Sequence, residues 1–396
     1  MIFERSGIGK AKMSENLKVL VVDDTIFYRQ LLSKLIEKMP NVDLMGVASN
    51  GKIAIQKIEL SAPDLVLMDM AMPVMDGLDA LRVIKANHPD VNVIMVSGVD
   101  WEAAGLTVKA LEIGALDFIA KPKAASPDAA VEELKAGLVP LINLARTIKY
   151  SRQTHRISKD HISGNKVMER TRTLAREPGS HAPKLEGISI PLNRPGQKRI
   201  IPRIDLVAIG VSTGGPNALK KIIPEISRDF PVPILVVQHM PPLFTATLAE
   251  SLDNISAIRV TEGKAEQLVE KGVMYIAPGG RHMVVRKQGT AGIKLGLVDT
   301  PPVHNCRPAV DVLFRSIGMI CGANVLTVIL TGMGNDGTSG VAAIRRKGGY
   351  SLVQDEKSCV VWGMPGAVVA ANEADEIIVQ DRIAQRIMEI VKKGRS

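Results

Sequence analysis

The chain has 396 residues, of which 46% are hydrophobic and only 3% aromatic. This length predicts two or three domains, and an aliphatic interior favours parallel α/β sheets over an aromatic-rich β-sandwich. The three cysteines form no Cys-x-x-Cys pair, which argues against a disulfide framework and a cysteine zinc site. No apolar run reaches the roughly 18 residues that a membrane span needs, so we expect a soluble, cytoplasmic protein.

The net charge of +9 is concentrated in one segment. Between Arg146 and Arg203 there are 14 Lys or Arg against four Asp or Glu, so the rest of the chain is close to neutral. This segment mixes Gly, Pro, Ser and charge without a sustained hydrophobic period, which predicts a long basic linker over residues 148–202. A surface for nucleic acid or an acidic partner is the alternative, and a solvated tether is the simpler interpretation.

Strand-like and helix-like stretches alternate on both sides of the linker. Residues 1–16 are predicted to be a tail, and Met13 is a possible start. Residues 17–147 repeat a βα unit five times, which predicts one doubly wound parallel sheet with functional groups at the carboxyl ends of its strands. Residues 203–396 show the same alternation and predict a second, mainly parallel α/β domain, with a short antiparallel patch within 255–299.

Five polar residues of the first domain follow predicted strands: Asp23, Asp24, Asp69, Ser97 and Lys121. One aspartate at a strand end is usually a helix cap or turn former. A parallel sheet brings these ends together, however, and three carboxylates in one crevice repel each other unless a hard cation such as Mg²⁺ joins them. The lysine and the serine hydroxyl suit a phosphoryl group.

The order of these residues, with DMAMPVMDG from Asp69 onward and DFIAKP around Lys121, closely resembles the response-regulator receiver family. The resemblance implies a flavodoxin-like (βα)5 fold, a histidine-kinase phosphodonor and Asp69 as the phosphoacceptor. By position, Asp24 and Asp69 would be the Mg²⁺ ligands, with Asp23 assisting and the Ala71 carbonyl as a further ligand.

The receiver resemblance also implies a set of switch residues. These are Ser97, Phe118 and Lys121. Phe118 stands where the family commonly has a tyrosine or another aromatic residue, so a rotamer switch would operate without a hydroxyl.

The second domain opens with GVSTGGP, in which Gly210, Ser212 and Gly214 lie at a predicted strand-to-helix turn. This turn has two interpretations. As G-x-S-x-G it is a nucleophile elbow that exposes the Ser212 hydroxyl. As a glycine-rich loop it could hold a phosphate, although it is neither a full dinucleotide fingerprint nor a Walker A loop.

A nucleophilic serine needs a base and a group that orients the base. Outside the linker and the first domain, the candidate bases are His239, His282 and His304. We favour His239 because it ends the predicted strand PILVVQH, at the edge where Ser212 must also lie. Asp336, in the glycine-rich loop LTGMGNDG after another strand, is the predicted orienting carboxylate, although Asn-Asp-Gly alone is common turn chemistry.

The order Ser, His, Asp differs from that of α/β-hydrolases. The motifs GVSTGGP, VVQHMPP, YIAPGGRHM, CRPAVDVLF, LTGMGNDG and WGMPGA resemble, in this order, the catalytic domain of the chemotaxis protein-glutamate methylesterases. The resemblance implies that Ser212, His239 and Asp336 are the triad and that no cofactor is needed for the ester chemistry.

The same resemblance implies a substrate and a mode of control. The substrate would be glutamate γ-methyl esters on the cytoplasmic helices of a chemoreceptor, hydrolysed with release of methanol, and some members also deamidate receptor glutamines. The pathway would be bacterial chemotaxis or a related signalling pathway. The receiver would block the hydrolase until Asp69 is phosphorylated. The candidates for oxyanion and substrate contacts are the amides of Thr213 and Met333 and the side chains of His282 and Arg307.

A function of another class is a phosphorylation-dependent binding regulator. In that case the GVSTGG loop and the basic linker would hold a nucleotide or nucleic acid. No helix-turn-helix pattern supports this alternative. Covalent labelling of Ser212 would distinguish the two functions, because a binding module has no activated serine.

Overall fold

The computed structural model describes residues 16–122, 126–162, 199–289 and 292–393. Residues 1–15 of the predicted tail and residues 163–198 of the predicted linker lie outside the described residues. Within the described ranges, none of the helices combines the length and apolar character needed to cross a bilayer.

The N-terminal domain alternates strands with helices. Its strands are β1 (Leu17–Val22), β2 (Val42–Ala48), β3 (Leu65–Asp69), β4 (Asn92–Ser97) and β5 (Asp117–Ala120). Its helices are α1 (Ile26–Glu37), α2 (Gly51–Leu60), α3 (Gly77–Asn87), α4 (Trp101–Ile113) and α5 (Pro127–Ile162). The strands form one parallel sheet in the order β2-β1-β3-β4-β5. Every residue of β3 and β4 is buried, as expected for the aliphatic centre of a sheet covered on both faces.

Three helices of this domain begin at an acidic or amide cap. The side chains of Asn50, Asp76 and Asp100 precede α2, α3 and α4, and each accepts a hydrogen bond from the backbone N–H three residues further on. Such caps satisfy donors that the first helical turn leaves unpaired. They fix the helix starts at the same edge of the sheet as the acidic cluster.

The helix α5 extends past residue 147, the boundary expected from the sequence, and ends at Ile162. Charged contacts hold the first turns of this extension, where Ile148 also packs against the hydrophobic core of the domain. Lys149 Nζ lies 2.8 Å from Asp64 Oδ2, and Arg152 donates to the backbone carbonyl of Asp90. Because these contacts are charged, the hydrophobic period did not indicate them.

The second domain is also an α/β structure. Its strands are β6 (Leu206–Val211), β7 (Ile234–Gln238), β8 (Arg259–Glu262), β9 (Val273–Ile276), β10 (His282–Lys287), β11 (Ile293–Val298), β12 (Val325–Ile329), β13 (Tyr350–Gln354) and β14 (Glu376–Ile378). Its helices are α6 (Gly215–Ile222), α7 (Phe244–Asp253), α8 (Val310–Cys321), α9 (Thr338–Arg345), α10 (Met364–Ala370) and α11 (Ile383–Lys393).

Seven of these strands form a parallel sheet in the order β14-β13-β12-β6-β7-β9-β8. The remaining pair, β10 and β11, is antiparallel, which confirms the predicted antiparallel patch. The strand β6 pairs with β7 on one side and with β12 on the other. After β6 the chain first adds β7, β8 and β9 on one side of it, and later adds β12, β13 and β14 on the other side, so the strand order reverses at β6. Crevices at such points are the usual ligand sites of open α/β sheets.

The two domains contact each other through α4 and β5 of the first domain. The helix α4 packs against α6 and α7. The rings of Phe118 and Phe244 stack with centroids 4.6 Å apart. This contact places the face of the first domain next to the carboxyl edge of the second sheet.

Candidate functional site

The loops after β6, β7 and β12 bring together the three residues of the predicted triad. Ser212 follows β6 and His239 follows β7, and the last residues of these strands, Val211 and Gln238, pair in register. His239 Nε2 lies 2.9 Å from Asp336 Oδ2. Ser212 and His239 therefore follow paired positions on adjacent strands, with Asp336 bound to the imidazole.

Asp336 is held as an anion by backbone amides. The N–H groups of Val310 and Asp311, at the start of α8, donate to its two oxygens at 2.6 and 2.9 Å. The N–H of Gly337 donates at 2.8 Å. Burial raises the pKa of Asp336, but the hydrogen bond with His239 and these amides outweigh burial and lower it. The helix N-terminus adds a favourable dipole for the negative charge.

The environment of His239 favours the imidazolium. Burial lowers its pKa, but the hydrogen bond with Asp336 and a contact with the Cys306 side chain outweigh burial and raise the pKa to about 9. The side chain is 10% exposed. An imidazole with one carboxylate partner can accept a proton from a hydroxyl and pass it on.

The turn that presents Ser212 depends on close backbone approach. Gly214 has φ 78°, a conformation that favours glycine. The Ser212 N–H donates to the Thr331 carbonyl at 3.0 Å. A Cβ on Gly332 would come within 2.8 Å of Ser212 Cβ. The buried Gln238 side chain donates to the Ser212 carbonyl at 3.0 Å and so ties the turn to β7.

The predicted oxyanion residues, Thr213 and Met333, lie beside this turn. Within the described ranges, the backbone N–H groups of Thr213 and Met333 have no protein acceptor. Both residues touch the first domain. Thr213 Oγ1 donates to Asp117 Oδ2 at 2.6 Å, and Met333 packs against the hydrophobic cluster that contains Leu116 and Ile119.

The other two predicted substrate residues differ in accessibility. His282 is fully buried, and both ring nitrogens bond backbone groups: Nε2 lies 3.1 Å from the Pro301 carbonyl and Nδ1 accepts from Ala309 N–H at 3.1 Å. No nitrogen of His282 is left for a substrate, so its geometry is that of a positioning residue. Arg307 is exposed and donates weakly to the Thr300 carbonyl at 3.3 Å, so its guanidinium can reach a ligand.

The acidic residues of the first domain converge as expected. One carboxylate oxygen each from Asp23, Asp24 and Asp69 lies within 4.8 Å of the others. Lys121 Nζ lies 2.8 Å from Asp69 Oδ1 and 3.1 Å from Asp23 Oδ2. Burial raises the pKa of Asp69, and the ion pair with Lys121 opposes this rise. Ala71 lies with Asp24 on the wall of an adjoining cavity of about 410 Å³.

This donor set fits Mg²⁺. It consists of three carboxylates, with one oxygen of each within 4.8 Å of the others, and Asp23 and Asp69 are both buried. Oxygen ligands of this kind suit a hard divalent cation. The adjoining cavity is lined by Asp24 and by Met70, the residue that follows Asp69.

The predicted switch residues connect this pocket to α4 and to the second domain. Ser97 is fully buried, and its Oγ accepts a hydrogen bond from Thr107 Oγ1 on α4 at 2.8 Å. On the same helix, Glu112 accepts from Lys220 Nζ at 2.8 Å and from Ser251 Oγ at 2.6 Å. A chain of contacts thus leads from Ser97 through α4 to α6 and α7.

Sequence reasoning missed four residues of these sites: Gln238, Thr107, Glu112 and Asp117. Gln238 lies within VVQHM, next to His239, so its position in the motif was the available signal. The roles of Thr107, Glu112 and Asp117 depend on contacts with residues that are distant in the sequence. Nothing in their spacing indicates which domain surface they face.

Comparison with known proteins gives two family matches. Residues 19–132 match the response regulator receiver domain, and residues 207–387 match the CheB methylesterase. A protein-glutamate methylesterase/protein-glutamine glutaminase of Desulfotalea psychrophila is 41% identical over 96% of this chain and 99% of its own length. The protein of the same name from Pyrococcus horikoshii is 36% identical over 96% of this chain and 95% of its own length.

A solved structure is also similar in sequence. The Thermotoga maritima CheB methylesterase catalytic domain is 40% identical, covers 48% of this chain and 99% of its own, and superposes with a TM-score of 0.47. The full-length sequence matches extend across both domains. The chain therefore belongs to the family of protein-glutamate methylesterases/protein-glutamine glutaminases, with a response regulator receiver domain preceding the CheB methylesterase domain.

Proposed function

We propose that this protein is a serine hydrolase that removes the methyl group from glutamate γ-methyl esters of chemoreceptors and deamidates receptor glutamines. The observation that carries the proposal is the His239–Asp336 hydrogen bond of 2.9 Å at the strand ends next to Ser212. A carboxylate-oriented imidazole beside a serine on a tight turn is the arrangement that activates a hydroxyl. Family membership agrees with this chemistry.

The reaction follows from this arrangement in two steps. His239 takes the Ser212 proton as Oγ attacks the ester carbonyl, and the imidazolium then protonates the leaving methoxide, so methanol departs and an acyl-serine remains. In the second step His239 takes a proton from water, which attacks the acyl-serine, and Ser212 recovers its proton as the glutamate carboxylate forms. A glutamine side chain reacts in the same way with ammonia as the leaving group.

The negative charge on the tetrahedral intermediate needs donors that are in place beforehand. We assign this role to the backbone N–H groups of Thr213 and Met333, which lie beside the Ser212 turn without a protein acceptor among the described residues. Arg307 is exposed near the site and would hold an acidic flank of the substrate. His282 would act indirectly, by holding the start of α8 in place.

The receiver domain would control this chemistry through phosphorylation of Asp69 by a histidine kinase. Asp24 and Asp69, assisted by Asp23 and the Ala71 carbonyl, would hold Mg²⁺, which neutralises charge on the transferred phosphoryl group. Lys121 is placed to bind a phosphoryl oxygen, since its Nζ already contacts Asp69. Ser97 would donate its hydroxyl to another oxygen.

Several contacts support control by occlusion. Thr213 and Met333 both touch the receiver domain, so a substrate helix cannot approach the Ser212 turn while the domains stay docked. Moving Ser97 toward a phosphoryl group would disturb its bond with Thr107 on α4, the helix that carries the interdomain contacts of Glu112. With the cytoplasmic helices of a receptor as substrate and a histidine kinase as phosphodonor, the protein would act in the cytoplasm.

Replacement of the nucleophile tests the proposed function. We expect Ser212→Ala to lower methanol release from a methylated chemoreceptor fragment by about 10⁴-fold or more, because the rest of the triad has no group to attack the ester. A fluorophosphonate should label the wild-type protein at Ser212 and leave the variant unlabelled. A fully active variant, or a wild type that takes no label, would instead favour a binding regulator.

A further inference from the structure

A second imidazole–carboxylate pair lies beside His239 and Asp336. His304 Nε2 is 3.2 Å from Asp311 Oδ2, and one ligand atom each from His304, Asp311 and Asp336 lies within 4.8 Å of the others. Asp311 is 1% exposed, whereas the His304 side chain is 37% exposed. The proposed mechanism uses neither side chain, and a carboxylate so deeply buried needs a structural or functional reason.

Asp311 fixes the part of the backbone that holds Asp336. Its side chain accepts from Gly340 N–H at 2.7 Å and from Ser339 Oγ at 2.8 Å, both in the first turn of α9. Its own backbone N–H donates to Asp336 Oδ1 at 2.9 Å. The side chain of Asp311, at the start of α8, therefore binds the first turn of α9. The backbone N–H of the same residue binds Asp336, so the position of Asp336 depends on that of Asp311.

His304 belongs to a tight turn that reaches His239. Val303 and Cys306 exchange two backbone hydrogen bonds, of 3.0 and 2.9 Å. Between them, His304 has φ 52° and Asn305 has φ 60°. Left-handed backbone is less favourable than other conformations for residues that are not glycine, although His and Asn adopt it more readily than most, so a contact from outside the turn helps to keep its position. The bond from His304 to Asp311 is such a contact.

The turn delivers two side chains to the site. The Cys306 side chain contacts the His239 imidazole. Arg307 follows directly and is exposed. A shift of the turn would therefore change the surroundings of the imidazole and of the substrate together.

We propose that His304 and Asp311 form a positioning pair that anchors the turn Val303–Cys306 to the start of α8 and thereby keeps His239 and Asp336 aligned with Ser212. This inference rests on the proposed function. His304 acts through other groups and is not itself a catalytic residue. Misalignment by a fraction of an ångström is enough to slow a reaction that depends on near-attack geometry.

The rate of fluorophosphonate labelling of Ser212 in the full-length protein tests the pair without involving receptor docking. We expect His304→Ala to slow labelling about tenfold with an unchanged melting temperature, since the side chain is partly exposed. His304→Gln should restore most of the rate, because the glutamine amide nitrogen can donate to Asp311 from a similar position. Arg281→Ala, which breaks the exposed ion pair with Asp299 in the same region, is the matched control and should label at the wild-type rate.

Three results would overturn the inference. The first is a wild-type labelling rate in His304→Ala, or a loss that His304→Gln does not restore. The second is a lower wild-type rate after treatment with EDTA that excess Mg²⁺ does not restore, which would make the cluster of His304, Asp311 and Asp336 a metal site. The third is a wild type that takes no label at all, which would remove the proposed function and this inference with it.

Discussion

The protonation state of His239 decides when the proposed base can work. Its hydrogen bond with Asp336 and its contact with Cys306 outweigh burial and raise the pKa to about 9. Only the neutral imidazole can accept the Ser212 proton, so the direction of this pKa shift favours activity that increases as the pH rises. The amides of Val310 and Asp311 add to this effect, because they keep Asp336 ionised.

The first prediction concerns pH. Labelling of Ser212 by a fluorophosphonate should speed up as pH rises from 7 toward about 9, the pKa of His239. In Asp336→Asn the strongest group that raises this pKa is lost, so the midpoint should move to lower pH. The plateau rate should fall by about 10⁴-fold, because the imidazole loses its orientation. A wild-type rate that stays flat between pH 6 and 9 would contradict this account.

The same pKa has a consequence for stability. A histidine whose pKa is raised on folding stabilises the native state fully below its unfolded value near 6.5, and this contribution is lost as pH rises through about 9. The melting temperature should therefore fall between pH 7 and 9.5 by more in the wild type than in Asp336→Asn. Thermal unfolding of both proteins in the same buffers measures this difference.

At the scale of elements, α4 joins the phosphorylation pocket to the hydrolase. Thr107, near the middle of the helix, bonds Ser97, and Glu112, near its end, bonds Lys220 and Ser251. The stacked rings of Phe118 and Phe244 lie next to these contacts. A displacement of α4 would therefore weaken the polar contacts of the interface together.

Removal of one of these contacts should raise basal activity. Glu112→Ala loses an ion pair that is partly exposed and a hydrogen bond, worth roughly 1 kcal/mol together, or about a fivefold shift toward undocked domains. We expect basal methanol release to rise by up to that factor, while the phosphorylated rate stays the same. Glu102→Ala, on the exposed first turn of α4, is the control. Equal basal rates in wild type and Glu112→Ala would show that this contact does not hold the domains together.

The elements themselves were largely predictable, because buried parallel strands are runs of aliphatic residues and their order places Ser212, His239 and Asp336 at one edge. The length of α5 was not predictable, since charged contacts such as Lys149 with Asp64 extend it. The burial of His282 also depends on backbone partners far along the chain. Contacts between the domains, such as that of Asp117 with Thr213, produce no periodic pattern in the sequence, because they depend on how the two folded surfaces pack against each other.

For the molecule as a whole, the docked arrangement links two sites that share no residue. Asp69 lies in the receiver pocket, and the Ser212 turn lies beneath Asp117 and the cluster around Met333. Coupling requires that phosphorylation favours one arrangement of the domains over the other. The basic segment between them, rich in glycine, proline and serine, is expected to keep the domains tethered after they separate.

Hydrogen exchange and activity on the full-length protein test this coupling together. Acetyl phosphate with Mg²⁺ should raise methanol release and also speed amide exchange at the facing turns of α6 and α7, because the receiver no longer covers them. Asp69→Asn keeps the size of the side chain but removes the phosphoacceptor, so both responses should disappear while basal activity stays near wild type. Glu112→Ala should show fast exchange at the same turns without acetyl phosphate. If Asp69→Asn still responded to acetyl phosphate, Asp69 would not be the phosphoacceptor. If acetyl phosphate raised the activity of the wild type without a change in amide exchange, activation would not proceed by undocking of the domains.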